Sequence, residues 1–392
     1  MSMPELRLKP HEERRLRAGH LWIYSNEVDT AKTPLTALEP GALCRVLDAR
    51  GKALGVASVN PHTLLAGRLL TSNADAAIDA QWFTHRINSA LALRERLYDQ
   101  PFYRLVYGES DGLPGLVVDR YGEVCVVQMA TAGMDRLKLD IIEGLKHTLA
   151  PAGILLRNDV GMRETEGLAA YVEEIGDVPD TVTIEEAGVR FEIPVKTGQK
   201  TGWFYDQRSN RDQLGKYVGG KSVLDVFSYL GGWSLRALKA GATGALAIDS
   251  SAPALEGALR NAQLNGLKLE TLQGKAIDLL RELRAQARKF DVVVVDPPAL
   301  IKRKKDLEAG SAHYGALNRT AIELLAPEGV LVSCSCSHHL DADALQRILL
   351  RESRAAGRRL QILEQGGQGP DHPVHPAIPE TRYLKAFFCR VA

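Results

Sequence analysis

Residues 221–241, KSVLDVFSYLGGWSLRALKAG, decide the fold. Ser222 to Phe227 is a short apolar run rich in Val, Leu and Phe, the composition of a strand buried on both faces. Ser228 to Gly232 is a polar turn with glycines, and Trp233 to Lys239 then carries apolar residues at helical spacing. A strand that turns sharply into a helix presents backbone N–H groups at the helix N-terminus, and glycine lets a ligand come close to the backbone. Asp225 falls near the carboxyl end of the strand, where open parallel sheets bind their ligands. Any nucleotide-binding α/β domain shares this much, and the turn lacks a full G-x-G-x-x-G.

Working outward narrows the reading. Gly244 to Ile248 is the next strand and runs into Asp249, about 20 residues past the glycine turn, where an acid can bond both ribose hydroxyls. A third unit ends at Asp278. A fourth strand, Phe290 to Val295, leads into Asp296-Pro297-Pro298, and a fifth, Gly329 to Ser333, into Cys334-Ser335-Cys336-Ser337. Strands alternating with helices of about 10–15 residues predict a parallel sheet. Polar and reactive residues at successive strand ends mark residues 191–392 as the catalytic domain, of class α/β and Rossmann-like.

Two further blocks precede it. Residues 1–73 read as a small β-rich domain, with strands at Ala42–Asp48 and Ala53–Val59 between turn signals. Its front carries Arg7, Lys9, His11, Arg14, Arg15, Arg17 and His20, then Trp22-Ile23-Tyr24. Basic residues interleaved with aromatics suit a phosphate backbone and base stacking, although a solvated helix with Trp22 in a core reads the same way. Residues 74–190 read as α+β, with helices Ile78–Leu97 and Met134–Leu149 and strands near 103–107, 115–119, 124–129 and 154–157. The acidic tail from Glu164 through Glu186 predicts a surface turned away from RNA. Asp111 and Asp119 read as turn and strand-end residues.

The 392 residues hold 45% hydrophobic and 25% charged side chains, ordinary for a globular protein. A net charge of +1 confines any nucleic-acid footprint to local patches. Neither a signal segment nor an apolar run near 18 residues is present, so the expected location is cytoplasmic with no membrane partner. Five scattered cysteines argue against a disulfide framework.

Between the blocks, Lys196 to Asn210 (KTGQKTGWFYDQRSN) combines aromatic faces with polar groups, as a site for an adenine-like ligand requires, or else serves as a linker. In Asp-Pro-Pro the prolines fix φ and remove N–H donors, so that the Asp side chain and a proline carbonyl can address a flat base. Cys334 and Cys336 share one face of a strand, so only one projects past the sheet edge. A partly exposed thiol near basic groups can ionise and attack carbon. Cys334, Cys336, His338 and His339 raise zinc, but tetrahedral sites use paired spacings, and no metal is expected.

LDVFSYLGG, Asp249, DPP at 296–298 and SCS at 335–337 resemble the class I S-adenosylmethionine (SAM)-dependent methyltransferases of the RNA 5-methylcytosine type, in the branch that acts on 23S ribosomal RNA. The resemblance spans nearly the whole chain. GHLWIYSNEV is similar to that family's PUA RNA-binding domain, ESDGLPGLVVDRYG to its central domain, and DHPVHPAIPETRYLKAFFCRV to its C-terminal end. It implies SAM as cofactor, with Asp225, Ser228, Gly231 and Gly232 holding the methionine end, Asp249 the ribose and Asp278 the adenine amine. Phe204, Asp206, Gln207 and Arg208 would close over it.

The same resemblance implies catalysis by Cys336, Asp296 and Pro297, with Asp296 also beside the cofactor. Cys336 would add to C6 of a flipped cytosine while Asp296 bonds its N3/N4 edge; C5 would take the methyl group. Position 299 is Ala, so the helper cysteine many such enzymes carry after Asp-Pro-Pro is absent. Arg14, Arg15, Arg17 and Trp22 would bind RNA, as would Lys302, Arg303 and Lys304, unless that run is merely solvated. A methyltransferase for the exocyclic guanine amine shares the sheet but places an aromatic after the prolines. A non-catalytic RNA-binding protein is the remaining alternative, and the residues leave a homodimer open.

Overall fold

The computed structural model describes residues 3–392; Met1 and Ser2, the start of the expected first domain, lie outside the described residues. The chain forms two compact units. One contains residues 3–182, Pro194–Trp203 and Pro370–Thr381, and the other Thr183–Ile193, Phe204–Gly369 and Arg382–Ala392.

The first unit holds two sheets. β1 (Glu5–Arg7), helix α1 (Glu13–Arg17), β2 (Trp22–Ile23), β3 (Leu43–Leu47), β4 (Ala53–Val59) and β5 (Gly67–Thr71) give a sheet of order β1-β3-β4-β5-β2. Leu6, Ile23, Val46 and Ala57 fill its core. Helix α2 (Ala80–Leu97), β6 (Phe102–Tyr107), β7 (Leu116–Tyr121), β8 (Val124–Met129), α3 (Ala132–Arg136), α4 (Lys138–Leu149), β9 (Gly153–Asn158), α5 (Met162–Thr165) and β10 (Tyr171–Gly176) build the second, of order β10-β9-β8-β7-β6. The predicted helix Met134–Leu149 is interrupted at Leu137, which leaves helical geometry and packs into the core.

In the acidic segment Glu164, Glu174, Asp177, Asp180 and Glu185 are exposed, whereas Glu166 and Glu186 are buried. Glu166 is buried and accepts from Arg68 (2.8 Å) and Asn60 (2.8 Å), which ties the first sheet to the second. Asp111 and Asp119 are likewise paired inside, with Arg94 and Arg104. Paired burial of this kind is what allows a carboxylate to leave water.

β11 (Thr181–Glu186) and β12 (Val189–Pro194) make a two-stranded ribbon. The second unit is then built from α6 (Arg208–Leu214), β13 (Ser222–Val226), α7 (Gly232–Lys239), β14 (Gly244–Asp249), α8 (Ala252–Leu264), β15 (Glu270–Gln273), α9 (Ala276–Ala285), β16 (Phe290–Val295), α10 (Leu307–Leu324), β17 (Leu325–Ser335), α11 (Ala342–Ala355), β18 (Leu360–Gly367) and β19 (Lys385–Val391). Its seven strands run in the order β15-β14-β13-β16-β17-β19-β18, with β19 antiparallel to both neighbours and the first five mutually parallel.

Alternate residues of each strand serve the two faces of that sheet. Leu224, Val226, Val293 and Val295 pack with α9, α10 and α11, whereas Val223, Val292, Val294 and Cys334 pack with Leu214 of α6 and Trp233 of α7. Both faces are covered, which explains the unbroken apolar runs. Truncating one of these residues to Ala costs about 2–5 kcal/mol. The strand order reverses at β13, whose neighbours are β14 on one side and β16 on the other. The crevice for a ligand opens there, at the carboxyl ends of the strands.

Candidate active site

The turn after β13 is conformationally unusual. Phe227 (φ 70°), Tyr229 (φ 48°) and Gly231 (φ 79°) are left-handed, while Ser228 and Leu230 between them are not. Such alternation turns backbone N–H groups into one concavity, and strained non-glycine residues gather at ligand sites. At Gly231 a side chain would also be crowded, since an added Cβ would stand 3.2 Å from Ala258 Cβ. Gly231 and Gly232 are buried where α7 begins.

Two polar atoms in this cradle have no partner among the described residues: Asp225 Oδ1 and Ser228 Oγ, both buried. The other Asp225 oxygen accepts from Ser234 N (3.0 Å) and Ser234 Oγ (2.7 Å). Burial, reinforced by the Asp296 and Asp249 carboxylates and opposed by Ser234, pushes the Asp225 carboxyl up to about 7. Leaving such atoms unmet costs about 1–3 kcal/mol each. A bound polar, cationic group would relieve both, so the residues fit SAM.

Asp249 caps the neighbouring strand end. Its Oδ2 accepts from Tyr229 N and its Oδ1 from Ser251 N, each at 2.9 Å, which fixes the carboxylate and leaves it half-exposed. Phe204 stands edge-on to Tyr229, with ring centres 5.5 Å apart. Asp206 is buried, hydrogen-bonded from the Tyr383 hydroxyl and, at its carbonyl, from Gly369 N (2.9 Å). Asp278 sits apart: it lies exposed in the first turn of α9, near Arg281. Arg208 points at Glu186, 3.7 Å away, and stacks on the Tyr205 ring.

Asp296 follows β16 and is held from both sides. Gln207 Nε2 donates to its Oδ1 at 2.9 Å, and Trp233 Nε1 to its Oδ2 at 3.0 Å. The two donors fix the orientation of the carboxylate at the end of the strand. Pro297 is buried, and its carbonyl lies 3.8 Å from Cys336 Sγ. Ile301 N donates to Ser337 Oγ at 3.1 Å, a second link between the Asp-Pro-Pro and Ser-Cys-Ser loops.

The two cysteines differ sharply. Cys334 is fully buried within β17, and burial pushes its thiol well above the usual range, with Asp296 adding to the effect. Cys336 lies just past the strand and is half-buried, whereas Cys44, Cys125, Cys334 and Cys389 are all buried. Tyr314 of α10 clamps its neighbours: the hydroxyl is 2.9 Å from Ser335 Oγ and 3.0 Å from Ser337 Oγ. Among the described residues no group of His, Cys, Asp and Glu is placed to hold a metal ion.

Sequence reasoning missed Trp233, Tyr314 and Lys385 as parts of this site. Trp233 and Tyr314 carry apolar mass at helical spacing and read as core, which they also are. Lys385 left a signal, a cation opening an otherwise apolar strand, KAFFCRV.

The basic residues are placed as follows. Arg15 pairs with Glu27 (2.6 Å) and lies over the Tyr24 ring, Arg17 pairs with Asp48 (2.8 Å), and Trp22 Nε1 donates to Glu109 (2.9 Å). Arg14 is exposed, 3.3 Å from His11 Nδ1. Lys302, Arg303 and Lys304 are exposed, Arg303 pairing with Asp306. No helix among the described residues is long and apolar enough to cross a membrane.

Comparison with known proteins bears on the whole chain. Residues 6–72 match a PUA-like domain family and residues 166–390 the S-adenosylmethionine-dependent methyltransferase family. A ribosomal RNA large subunit methyltransferase I of Klebsiella pneumoniae (strain 342) is 37% identical over 396 residues, covering 99% of this chain and 98% of its own. The protein of that name from Aliivibrio fischeri (strain MJ11) is 37% identical over 387 residues, with 97% of each chain covered. Among solved structures, a candidate methyltransferase crystallised with SAH superposes with a TM-score of 0.84 over 99% of this chain and all of its own, at 19% identity, a likeness of fold. The expected fold class and cofactor stand: this chain belongs to the SAM-dependent methyltransferases, in a form that joins a PUA-like domain to the methyltransferase fold.

Proposed function

We propose that this protein methylates C5 of a cytosine in 23S ribosomal RNA, with Cys336 as nucleophile. The observation that carries the reading is Cys336 itself: a half-buried thiol held against the Asp-Pro-Pro carbonyl, 3.8 Å away, beside a carboxylate fixed by two donors. The names of the relatives supply the substrate class. The three-part division into 1–73, 74–190 and 191–392 belongs to the same proposal.

Bound SAM supplies an electrophilic methyl group. Asp225, Ser228, Gly231 and Gly232 hold its methionine end, Asp249 bonds the ribose, and Phe204 with Tyr229 borders the cradle. Asp278, exposed on α9, reaches the adenine amine only from the rim. Asp206 and Gln207 set the floor, and Arg208 acts through its hold on Glu186.

C6 of a stacked cytosine is out of reach, so the base is flipped or taken from a loop. Asp296, oriented by Gln207 and Trp233, accepts from the N4 amine. The Cys336 thiolate adds to C6 and the C5=C6 π pair is drawn to C5, which would take the methyl group as the methyl–sulfur bond breaks and its electron pair stays on the sulfur. Loss of the C5 proton to a base returns that pair, and the C6–S bond breaks to release the thiolate. Exposed Lys302, Arg303, Lys304 and Arg14 contact phosphates, while Arg15, Arg17 and Trp22, already paired, shape the surface that carries them.

Nucleoside mass spectrometry tests the reading on unmodified 23S rRNA incubated with SAM. We expect 5-methylcytidine from wild type and Cys334→Ser and none from Cys336→Ser. A methylguanosine that survives loss of both cysteines overturns the chemistry. Ala299, which places no aromatic after the prolines, argues against that outcome.

A further inference from the structure

Lys385 opens β19, directly across the antiparallel ladder from Ser335 and one residue short of Cys336 in register. Its residue is 7% exposed, rare for lysine. The ammonium is fixed by two carbonyls, donating to Ser337 O at 2.7 Å and Tyr383 O at 2.8 Å. Two bonds of three leave one N–H and the whole charge uncompensated by a direct carboxylate partner in these bonds. The neighbouring carbonyl of Ser337 is one peptide beyond Cys336, so the charge stands beside the thiol loop.

We propose that Lys385 is a positioning residue for Cys336, a buried cation whose charge holds the thiol in its reactive, ionised form. The proposal rests on the reading of Cys336 as nucleophile. A cation beside a thiol favours the thiolate, and burial strengthens the interaction by thinning the water between them. The effect is reciprocal: burial pushes Lys385 down to about 8, and Cys336 and then Asp341 act in the opposite direction. An ammonium so placed still carries its proton near neutral pH.

Among the groups near the pair, Tyr314 of α10 and Cys334 of the sheet bring no positive charge. Tyr314 is held neutral, raised by burial against the hydrogen bonds of Ser335 and Ser337, and Cys334 is raised further by its own burial. Asp296 and Asp341, at the ends of β16 and α11, are acidic side chains that oppose thiolate formation. His338 and His339 follow in the same loop with their rings edge to face, and their contribution needs its own control.

The experiment is the pH–rate profile of Cys336 alkylation by iodoacetamide in the full-length protein without RNA. Peptide mass spectrometry identifies the modified cysteine, and thermal unfolding reports the fold. Wild type is expected to reach half-maximal rate well below pH 8.5, the midpoint of an ordinary free thiol. Lys385→Gln should react about tenfold more slowly at pH 7, one unit of midpoint, and Lys385→Arg should recover most of the rate. His338→Gln should leave the midpoint in place.

An ordinary wild-type midpoint overturns the proposal without recourse to any variant. So does a profile unmoved in folded Lys385→Gln, or one moved by His338→Gln instead. Because no RNA is present, the outcome is separate from the identity of the methylated base. A shifted midpoint in an enzyme that makes methylguanosine would leave the Lys385–Cys336 coupling standing and remove its catalytic meaning.

Discussion

Trp233 Nε1 donates to Asp296 Oδ2 across 3.0 Å, so the first turns of α7 grip the carboxylate that ends β16. The indole thus serves two ends at once, packing against Val223 and Val294 while orienting the acid. Trp233→Phe keeps much of the apolar volume and removes the donor. A hydrogen bond to a charged group is worth about 1.5–3 kcal/mol, so kcat should fall roughly tenfold to a hundredfold with a small change in the Kd for SAM. Steady-state methyl transfer and isothermal calorimetry separate the two, and an unchanged kcat would show that Asp296 needs no such orientation.

Glu186 at the end of β11 collects Arg211 (2.7 Å), Arg236 (2.9 Å) and Arg208 (3.7 Å) while itself almost fully buried. Burial alone would push its carboxyl up, but Arg211 above all, with Arg208 and Arg236, holds it down at about 2. Glu186→Gln leaves Arg211 buried without its carboxylate and should cost about 3–5 kcal/mol. A lowered folded-state value stabilises above the unfolded carboxyl range, near 4.5, and that share is lost as pH falls from there toward 2. Urea unfolding across this acid range should show wild type losing its advantage over Glu186→Gln; a constant gap would rule the linkage out.

Asp225 gives the opposite sign. Its folded-state value, about 7, lies above the ordinary 3.8, so the folded protein binds a proton that the unfolded chain has released. Stability is therefore drained as pH rises from about 4 to about 7 and is level beyond. Asp225→Asn keeps an acceptor for Ser234 and removes the titration. Without cofactor, the variant should melt above wild type at pH 8, with the gap closing toward pH 4, and should bind SAM poorly. A variant that melts below wild type at pH 8 would contradict the burial argument.

These groups show where the sequence was readable and where it was not. β13, β16 and the acids behind them follow from local pattern: apolar runs of strand length ending in Asp225, Asp249 and Asp296. The pairings are a different matter. Trp233 meets Asp296 across 63 positions and Tyr314 meets Ser335 across 21, and helical periodicity assigns both aromatics to the core without saying what their polar ends reach. Two acids of the acidic run, Glu166 and Glu186, were unreadable for the same reason. Composition at Glu166 and Glu186 predicts solvent, whereas arginines brought from elsewhere in the chain bury both.

The Ser-Cys-Ser motif owes its geometry to Tyr314, whose hydroxyl lies 2.9 Å from Ser335 Oγ and 3.0 Å from Ser337 Oγ on either side of Cys336. Tyr314→Phe removes one oxygen and leaves two buried serine hydroxyls short of a partner, a cost of about 1–3 kcal/mol. It also frees the loop that carries the thiol. Tyr314 packs on the sheet face covered by α10, whereas Trp233 and its α7 neighbours occupy the other face. SAM affinity should therefore hold while kcat falls about tenfold or more, since small misplacements of a reacting group are expensive. Calorimetry with SAM and single-turnover methyl transfer test this together. Loss of SAM binding in a folded Tyr314→Phe protein would mean that the two faces are coupled and that the clamp does more than hold Cys336.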